Sequence, residues 1–518
     1  MGFLSQLVDG AVALFSPKEA AARQAWRERI RNYDAATDER LNAGWRVVSG
    51  PAESVNSWSR GILRDRSRDL ERNSDITNAV LASKVRNIIG AGFSLQARTK
   101  NARMNNLIEE QWRIWTKARN CDVTGVQSLN QMLSMAVRRK TVDGGILFVK
   151  RYTPHGSIRF SLQMIEVDDL DNGQMNPRYA GNRVIGGIEY SRYNRPVGYW
   201  ITTYEPDGFT LNQPQYVEAN DVIFYFTKRR PTQVREVSDM APMMTRIRDA
   251  NEFIVAVAVK QRIEACLAVF IKRAMPTGDN FGRSRMTVGK DGKISYENLE
   301  LGPGLISELD IGDEIQVVNP TGQASDASSF LKMFQRLIAS GFGLSYESVS
   351  RDLSETNYSS ARQGAIEDEL TFAEDREQIT AILDEIYETF IISLYLNGFF
   401  PVDTIEAVRE KYFPHEWIQR PKPWIDPLKE ANAQKIALQN GLKTFQQLAA
   451  ENGMDWQDQL DQIIEAAEYG QKKGYDVTGL LYDGRLVKPA EAAAPEPQPE
   501  PPPQDEEQTE KEVVTDGA

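Results

Sequence analysis

Asn357-Tyr358-Ser359-Ser360-Ala361-Arg362 divides a polar stretch of the chain from a long amphipathic one. Upstream of it, Phe330, Met333, Phe334, Leu337 and Ile338 recur at i, i+3, i+4, i+7 and i+8, the apolar stripe of a helix that Gly341 ends. Phe342 to Thr356 lacks any such period and reads as a loop without an element of its own. Ser360 and Gln363 have capping-box spacing, in which hydroxyl and amide each satisfy an orphan backbone donor. Ile366, Leu370, Ala373, Ile382, Ile386, Phe390 and Leu394 then keep helical spacing until Asn397-Gly398 and Pro401, a helix of about forty residues.

Working outward toward the C-terminus, Asp426 and Pro427 have N-cap and first-turn chemistry, and Asn440-Gly441 stops that helix. Thr444 and Gln447 box the next, Asn452-Gly453 stops it, and Asp455 starts a third. From Pro489 the chain has seven prolines within fifteen residues and then acidic residues, a composition that cannot bury enough apolar surface to order itself.

Toward the N-terminus, residues 238 to 272 form a second long helical pattern with Met240, Met244, Ile247, Ile254, Val257, Leu267 and Ile271 on one face; as one helix it spans about 50 Å. The β-branched run Phe253 to Val259 leaves a buried strand as the alternative. Residues 273 to 324, with glycines separating short apolar runs, read as turns and short strands. Between 46 and 233, helices over Asn101–Ala118 and Ser128–Lys140 precede strands over Gly145–Tyr152, Ser157–Gln163, Val184–Tyr190, Val197–Thr203 and Val222–Phe226. Helices followed by strands give a mainly helical α+β fold. Residues 1 to 45 read as an arm with one helix, Pro17 to Asp34.

Composition is that of a globular chain, 41% hydrophobic and 26% charged. Cys121 and Cys266 lack CxxC spacing and read as core residues in a reducing compartment. The longest apolar run falls far short of the roughly 20 residues that span a bilayer, and Phe3 to Phe15 lacks the basic start of a secretion signal. The formal charge of −12 is uneven, because the stretch from Pro489 carries nine Asp or Glu against one Lys and leaves the body nearly neutral.

No catalytic residue set or cofactor site emerges. Gly289-Lys290-Asp291 lacks the rest of a phosphate loop, and Gly90-Ala91-Gly92 lacks the rest of a dinucleotide fingerprint and reads as a tight turn. His155 and His415 are far apart and near no Cys, which disfavours zinc, and His155 sits in a turn composition. Glu166, Asp168, Asp169 and Asp171 are either a solvated strand edge or, in a rival reading, the divalent-ion site of a metal-dependent nuclease.

The order of these elements resembles the portal proteins of tailed bacteriophages, in the branch typified by phage lambda. The resemblance is carried by Tyr33-Asp34-Ala35-Ala36, by Leu63-Arg64-Asp65-Arg66-Ser67-Arg68-Asp69-Leu70-Glu71-Arg72-Asn73, by Asn87-Ile88-Ile89-Gly90-Ala91-Gly92 and by Gly187-Ile188-Glu189-Tyr190. It continues through Arg195-Pro196-Val197-Gly198-Tyr199, Gln233-Val234-Arg235, the 357–362 stretch, Trp424-Ile425-Asp426-Pro427 and Asn440-Gly441-Leu442. It is collinear from about residue 30 to about 480. One departure is Glu236, where the family usually has Gly, which bears on the local turn.

What the resemblance implies is a portal-type fold with wing, stem, clip and crown regions arranged in a ring. On this chain the regions are the arm 1–45, wing 46–233, stem helix 234–272, clip 273–324, second stem helix 325–340 and tunnel loop 341–357. The long helix and wing 358–420, crown helices 421–488 and the acidic Pro-rich tail 489–518 complete it. The expected role is a homo-oligomeric ring of about twelve subunits at one capsid vertex, closed by head-to-tail contacts, through which double-stranded DNA enters on packaging and leaves on ejection. Expected partners are the large terminase subunit, the major capsid protein and scaffold, and a head-completion or adaptor protein. The expected location is the virion, after assembly in the host cytoplasm, with no membrane contact. A nearly neutral body suits a channel in which DNA must slide, since a strongly basic lining holds phosphates through counterion release. Another DNA-binding virion structural protein is the non-enzymatic alternative.

In the tunnel loop Arg351 is the only basic residue and the expected phosphate contact, with Lys332, Arg336 and Arg362 at its roots. The alternative for these side chains is intersubunit ion pairing with Asp352, Glu355 or Glu367. Gly341 and Gly343 supply backbone freedom for loop movement. Arg283, Arg285 and Lys290 with Glu297, Glu300 and Asp310 form a mixed-charge clip rim suited to exchangeable partners.

Overall fold

A computed structural model describes residues 16–18, 48–154, 156–203, 212–266, 270–273, 286–288, 294–296, 313–316, 324–401, 404–419 and 427–474. The arm apart from residues 16–18, the acidic tail, His155 and the six charged residues of the expected clip rim therefore lie outside the described residues.

The chain divides into one unit up to Trp417 and a second from Ile418. The first begins with helices α1 (Ala52–Asn73) and α2 (Asp75–Ile88), joined at Ser74, whose side chain caps α2 by accepting from Thr77 N. Gly90 and Gly92, at φ 54° and 101°, then make the expected tight turn into strand β1 (Phe93–Ala97). Helices α3 (Ala102–Trp115), α4 (Ala118–Cys121) and α5 (Leu129–Asp143) follow, α5 opening on a Ser128/Gln131 capping box and ending at left-handed Gly144.

The expected strands appear as two antiparallel sheets. In the first, β2 (Gly145–Arg151) lies between β3 (Ser161–Ile165) and β8 (Val222–Phe226). In the second, β4 (Arg183–Ile185), β5 (Ile188–Tyr190), β6 (Pro196–Ile201) and β7 (Gln215–Glu218) run in sequence order. Two strand expectations are corrected. Ser157–Gln163 begins pairing only at Ser161, because Gly156 packs against Asn120 and the Ser157 N–H is tied to Asn120 Oδ1 at 3.2 Å. Val184–Tyr190 is a hairpin, not one strand, because Gly186 and Gly187 take φ 58° and 80°, the sign that a tight two-residue turn requires.

Helix α6 (Met244–Cys266) places Phe253–Val259 in a helix and removes the strand alternative. It is shorter than the expected 238–272 helix at both ends. Residues up to Met243 are turns held by Ser238, and strand β9 (Phe270–Arg273), rich in β-branched and aromatic residues, takes the far end and pairs with β12 (Asp313–Gln316). Strands β10 (Met286–Val288) and β11 (Ile294–Tyr296) also pair, in line with the short-strand reading of 273–324. Helix α7 (Ala324–Gly341) returns antiparallel beside α6, with Phe253 and Phe330 rings 4.7 Å apart.

The core of this unit is built on the long helix α9 (Tyr358–Leu396), whose Ile379, Leu383, Ile386, Tyr387, Phe390 and Leu394 are buried. Its Phe390 meets Trp112 and Trp115 of α3 at 5.0 and 5.6 Å, and Trp115 stacks on Phe160 at 5.1 Å. Cys121 is in this core, where burial pushes its thiol up to about 12, so it is inert as a nucleophile. Asn397-Gly398 ends α9 as expected, with Gly398 at φ 81°. Helix α10 (Ile405–Tyr412) and strand β13 (His415–Gln419) follow.

The second unit contains α11 (Pro427–Gln439), α12 (Phe445–Glu451) and α13 (Trp456–Lys472). Pro427 at the first position, the Thr444/Gln447 box and the Asp455 cap all stand where the sequence puts them.

Candidate functional site

The segment between α7 and α9 is more ordered than its polarity suggests. Helix α8 (Tyr346–Ser350) forms within it, which corrects the reading of 342–356 as a loop without an element. Tertiary contact makes this helix, not periodicity. Ser345 caps it by accepting from Ser348 N, and the buried Asp368 carboxylate on α9 accepts from Ser345 N at 2.6 Å, from Ser345 Oγ at 2.7 Å and from Ser348 Oγ. Phe342 and Leu344 before it, and Val349 within it, are buried. The start of α9 also moves. Its cap is Asn357, whose Oδ1 accepts from Ser360 N at 2.8 Å, and Gln363 bonds Glu367 instead of closing a box.

Arg351 ends α8 in the left-handed region at φ 58°, with its N–H on Glu347 O at 2.9 Å. Its side chain is exposed and meets no carboxylate within ion-pair distance among the described residues. The other three cations differ. Lys332 Nζ pairs with Glu355 at 2.7 Å, and this hydrogen bond holds the ammonium above its ordinary pKa. Arg336 lies 3.9 Å from Glu355, with its guanidinium 5.4 Å over the Tyr346 ring. Arg362 is exposed near the start of α9. Thus two of the four candidate cations meet Glu355 within one chain, and Arg336 and Arg351 lie against or at the end of the short helix α8.

The two glycines serve different needs. At Gly341 a Cβ would lie 2.7 Å from the Met243 side chain, so the residue permits close packing onto the start of α6. Gly343 has φ 70°, and its carbonyl accepts from Thr371 Oγ1 at 2.8 Å.

Beneath this segment lies a buried ionic group. Asp375 of α9 accepts from Lys140 at 2.6 Å and pairs with Lys84 at 3.1 Å; Lys140 reaches Asp239 at 3.5 Å, and Asp239 pairs with Arg229 at 2.7 Å. With Phe342 and Gly341 these side chains line a cleft of about 260 Å³. Burial pushes the Asp375 carboxyl up, but the two lysines outweigh it and hold it below the usual carboxylate range.

The acidic cluster near residue 168 is built for cations of the protein itself. Asp168 pairs with Arg64 at 2.9 Å and Arg68 at 2.6 Å, Arg68 also binds Glu166 at 3.0 Å and Asp143 at 2.7 Å, and Asp171 caps the Gly173 N–H at 2.8 Å. Arginines therefore occupy Glu166 and Asp168, two of the four carboxylates that the nuclease reading needs for metal. The signal was present as Arg60, Arg64 and Arg68, four apart on one face of α1. Next to them Glu236 is fully buried, bound to Arg235 at 2.7 Å with Arg60 and Arg64 about 4 Å away. Its carboxylate is the local counter-charge.

The family model described as phage portal protein, lambda family, matches residues 38–376. The chain belongs to the lambda family of phage portal proteins. That match runs from before α1 through α7 and α8 to the middle of α9. Among curated relatives, a probable portal protein of Halomonas phage phiHAP-1 is 26% identical over 452 residues, covering 84% of this chain and 86% of the relative. Portal protein B of Escherichia phage lambda is 22% identical over 463 residues, covering 80% and 85%. Among solved structures, the neck of an empty gene transfer agent particle with C6 symmetry is similar at 12% identity and a TM-score of 0.45, covering 79% of this chain and 95% of that one. The portal assignment is thus a structural role and not an enzymatic one, in keeping with the mainly helical α+β architecture.

Proposed function

We propose that this portal protein assembles into a ring of about twelve copies whose channel passes double-stranded DNA, with the 341–357 segment as its tunnel loop. The observation that carries the reading is Arg351. It is an exposed cation held out at the end of a capped, buried-side helix without a carboxylate partner among the described residues, which suits a transient phosphate contact. In the same reading 46–233 with 358–420 is the wing, α6 and α7 are the stem, the 273–324 strands the clip, and α11 to α13 the crown. The large terminase subunit docks on the clip during filling, a head-completion or adaptor protein replaces it, and the major capsid protein and scaffold engage the ring during assembly in the host cytoplasm. The product is a virion component at the portal vertex.

Native mass spectrometry of the purified chain with electron-microscope class averages tests this. A closed ring with a central hole is expected; a particle that stays monomeric at every concentration and in the presence of scaffold overturns it.

A further inference from the structure

Two helix faces on either side of α8 are apolar, exposed and opposite in charge. On α7, Phe330, Met333 and Leu337 are 40–47% exposed at i, i+3 and i+7, and the charged residues beside them are Lys332 and Arg336. On the first half of α9, Ile366 and Leu370 are 49% and 62% exposed at i and i+4, and the same face runs from exposed Arg362 through exposed Glu367, Ala373, Glu374 and Glu377, three carboxylates against one cation. Phe330 is covered on one side by Phe253 of α6, while Met333 and Leu337 on α7 and Ile366 and Leu370 on α9 stay exposed among the described residues, and exposed apolar stripes of this regularity mark contact surfaces.

We propose that the α7 face of one copy docks on the α9 face of a second copy, Phe330, Met333 and Leu337 against Ile366 and Leu370, with Arg336 set against Glu367 and Glu374. This rests on the ring reading and names the surfaces that would close it. The two faces differ in residue type and charge sign, so the contact is heterologous, the kind that propagates around a ring instead of stopping at a two-fold dimer. A second α7 face would set cation against cation, and a second α9 face carboxylate against carboxylate. The occupant is thus a second copy in one order only. Arg336 is the side chain best placed for the role, being 60% exposed and no nearer than 3.9 Å to a carboxylate of its own chain among the described residues. Lys332, already held by Glu355 at 2.7 Å, is less available.

The test is charge exchange in the full-length chain. Arg336→Glu alone and Glu367→Lys with Glu374→Lys alone each place like charges across the joint, and each is expected to raise the concentration for half-assembly at least about tenfold. The variant carrying all three changes restores opposite charges and is expected to return near wild-type assembly. Circular dichroism and melting temperature establish that each variant folds. Wild-type rings together with unaltered assembly of both single-side variants overturn the surface and leave the ring reading standing. Folded single-side variants that lose assembly without recovery in the exchanged variant also overturn the pairing. Absence of any wild-type oligomer overturns the ring reading and the surface with it.

Discussion

The Asp375 carboxylate accepts from the Lys140 ammonium at 2.6 Å, both side chains buried and 235 residues apart in sequence. With Lys84 on its other oxygen, Asp375 ties the long helix to α2 and α5 directly beneath the 341–357 segment. Removing one partner leaves uncompensated buried charge, so Asp375→Ala is expected to cost about 3 kcal/mol or more, read as a fall in the denaturant midpoint. The pH dependence has a definite sign. A carboxyl held below its ordinary 3.8 contributes fully above that value and loses its contribution as pH falls below it. The wild-type chain is therefore expected to lose stability more steeply than the Asp375→Ala variant in that acidic window.

Glu236 is a fully buried carboxylate among arginines, and its loss tests that cluster. Glu236→Gly removes the buried counter-charge of Arg235 and of the nearby Arg60 and Arg64. A loss of about 3 kcal/mol is expected on the same ground. Thermal melts of Glu236→Gly and Arg235→Met/Glu236→Gly check it, and the second is expected to recover part of the loss because the buried arginine paired with Glu236 is gone too.

Much of the fold was legible because helix ends are written locally. Thr444 with Gln447, Asp455, Pro427 and Gly398 each act within a few residues of themselves, and each stands where the pattern puts it. Helix α8 was not legible, since its stability comes from Asp368, about twenty residues away on another helix. The hairpin at Gly186-Gly187 was hidden because two short strands and a two-residue turn mimic one alternating run. The candidate cations were legible by type but not by pairing. Nothing local tells that Glu355 takes Lys332 across the segment while Arg351 is left exposed.

Asp169 is a cost, not a gain, at neutral pH. Burial first, then the neighbouring Glu166 and Asp168 charges, push its carboxyl up from 3.8 to about 6, against the pull of Arg68. A folded pKa above the unfolded one means that folding is penalised increasingly as pH rises from 3.8 through 6. Because the group is only partly buried, the screened penalty is about 1 kcal/mol. Asp169→Asn is expected to raise stability by about that much at pH 7 and to leave it unchanged below pH 4, read by denaturant titration at both pH values.

Arg351→Gly separates the backbone role of that position from its charge. The left-handed conformation at φ 58° costs an L-residue roughly 1 kcal/mol that glycine does not incur. Folding and ring assembly are therefore expected to be unchanged or slightly improved, since the Arg351 side chain meets no carboxylate among the described residues. If the guanidinium meets phosphates in the channel, packaged or retained DNA falls in the same variant, and Arg351→Lys restores part of it by keeping the charge. Deleting Ser350 to Thr356 is the harsher comparison. It removes Asp352 and Glu355 together with Arg351, and so frees Lys332 and Arg336 from their carboxylate. A DNA-packaging assay on both variants decides the role: normal packaging by Arg351→Gly would remove Arg351 as a phosphate contact, whereas a defect shared by both places it in the charge.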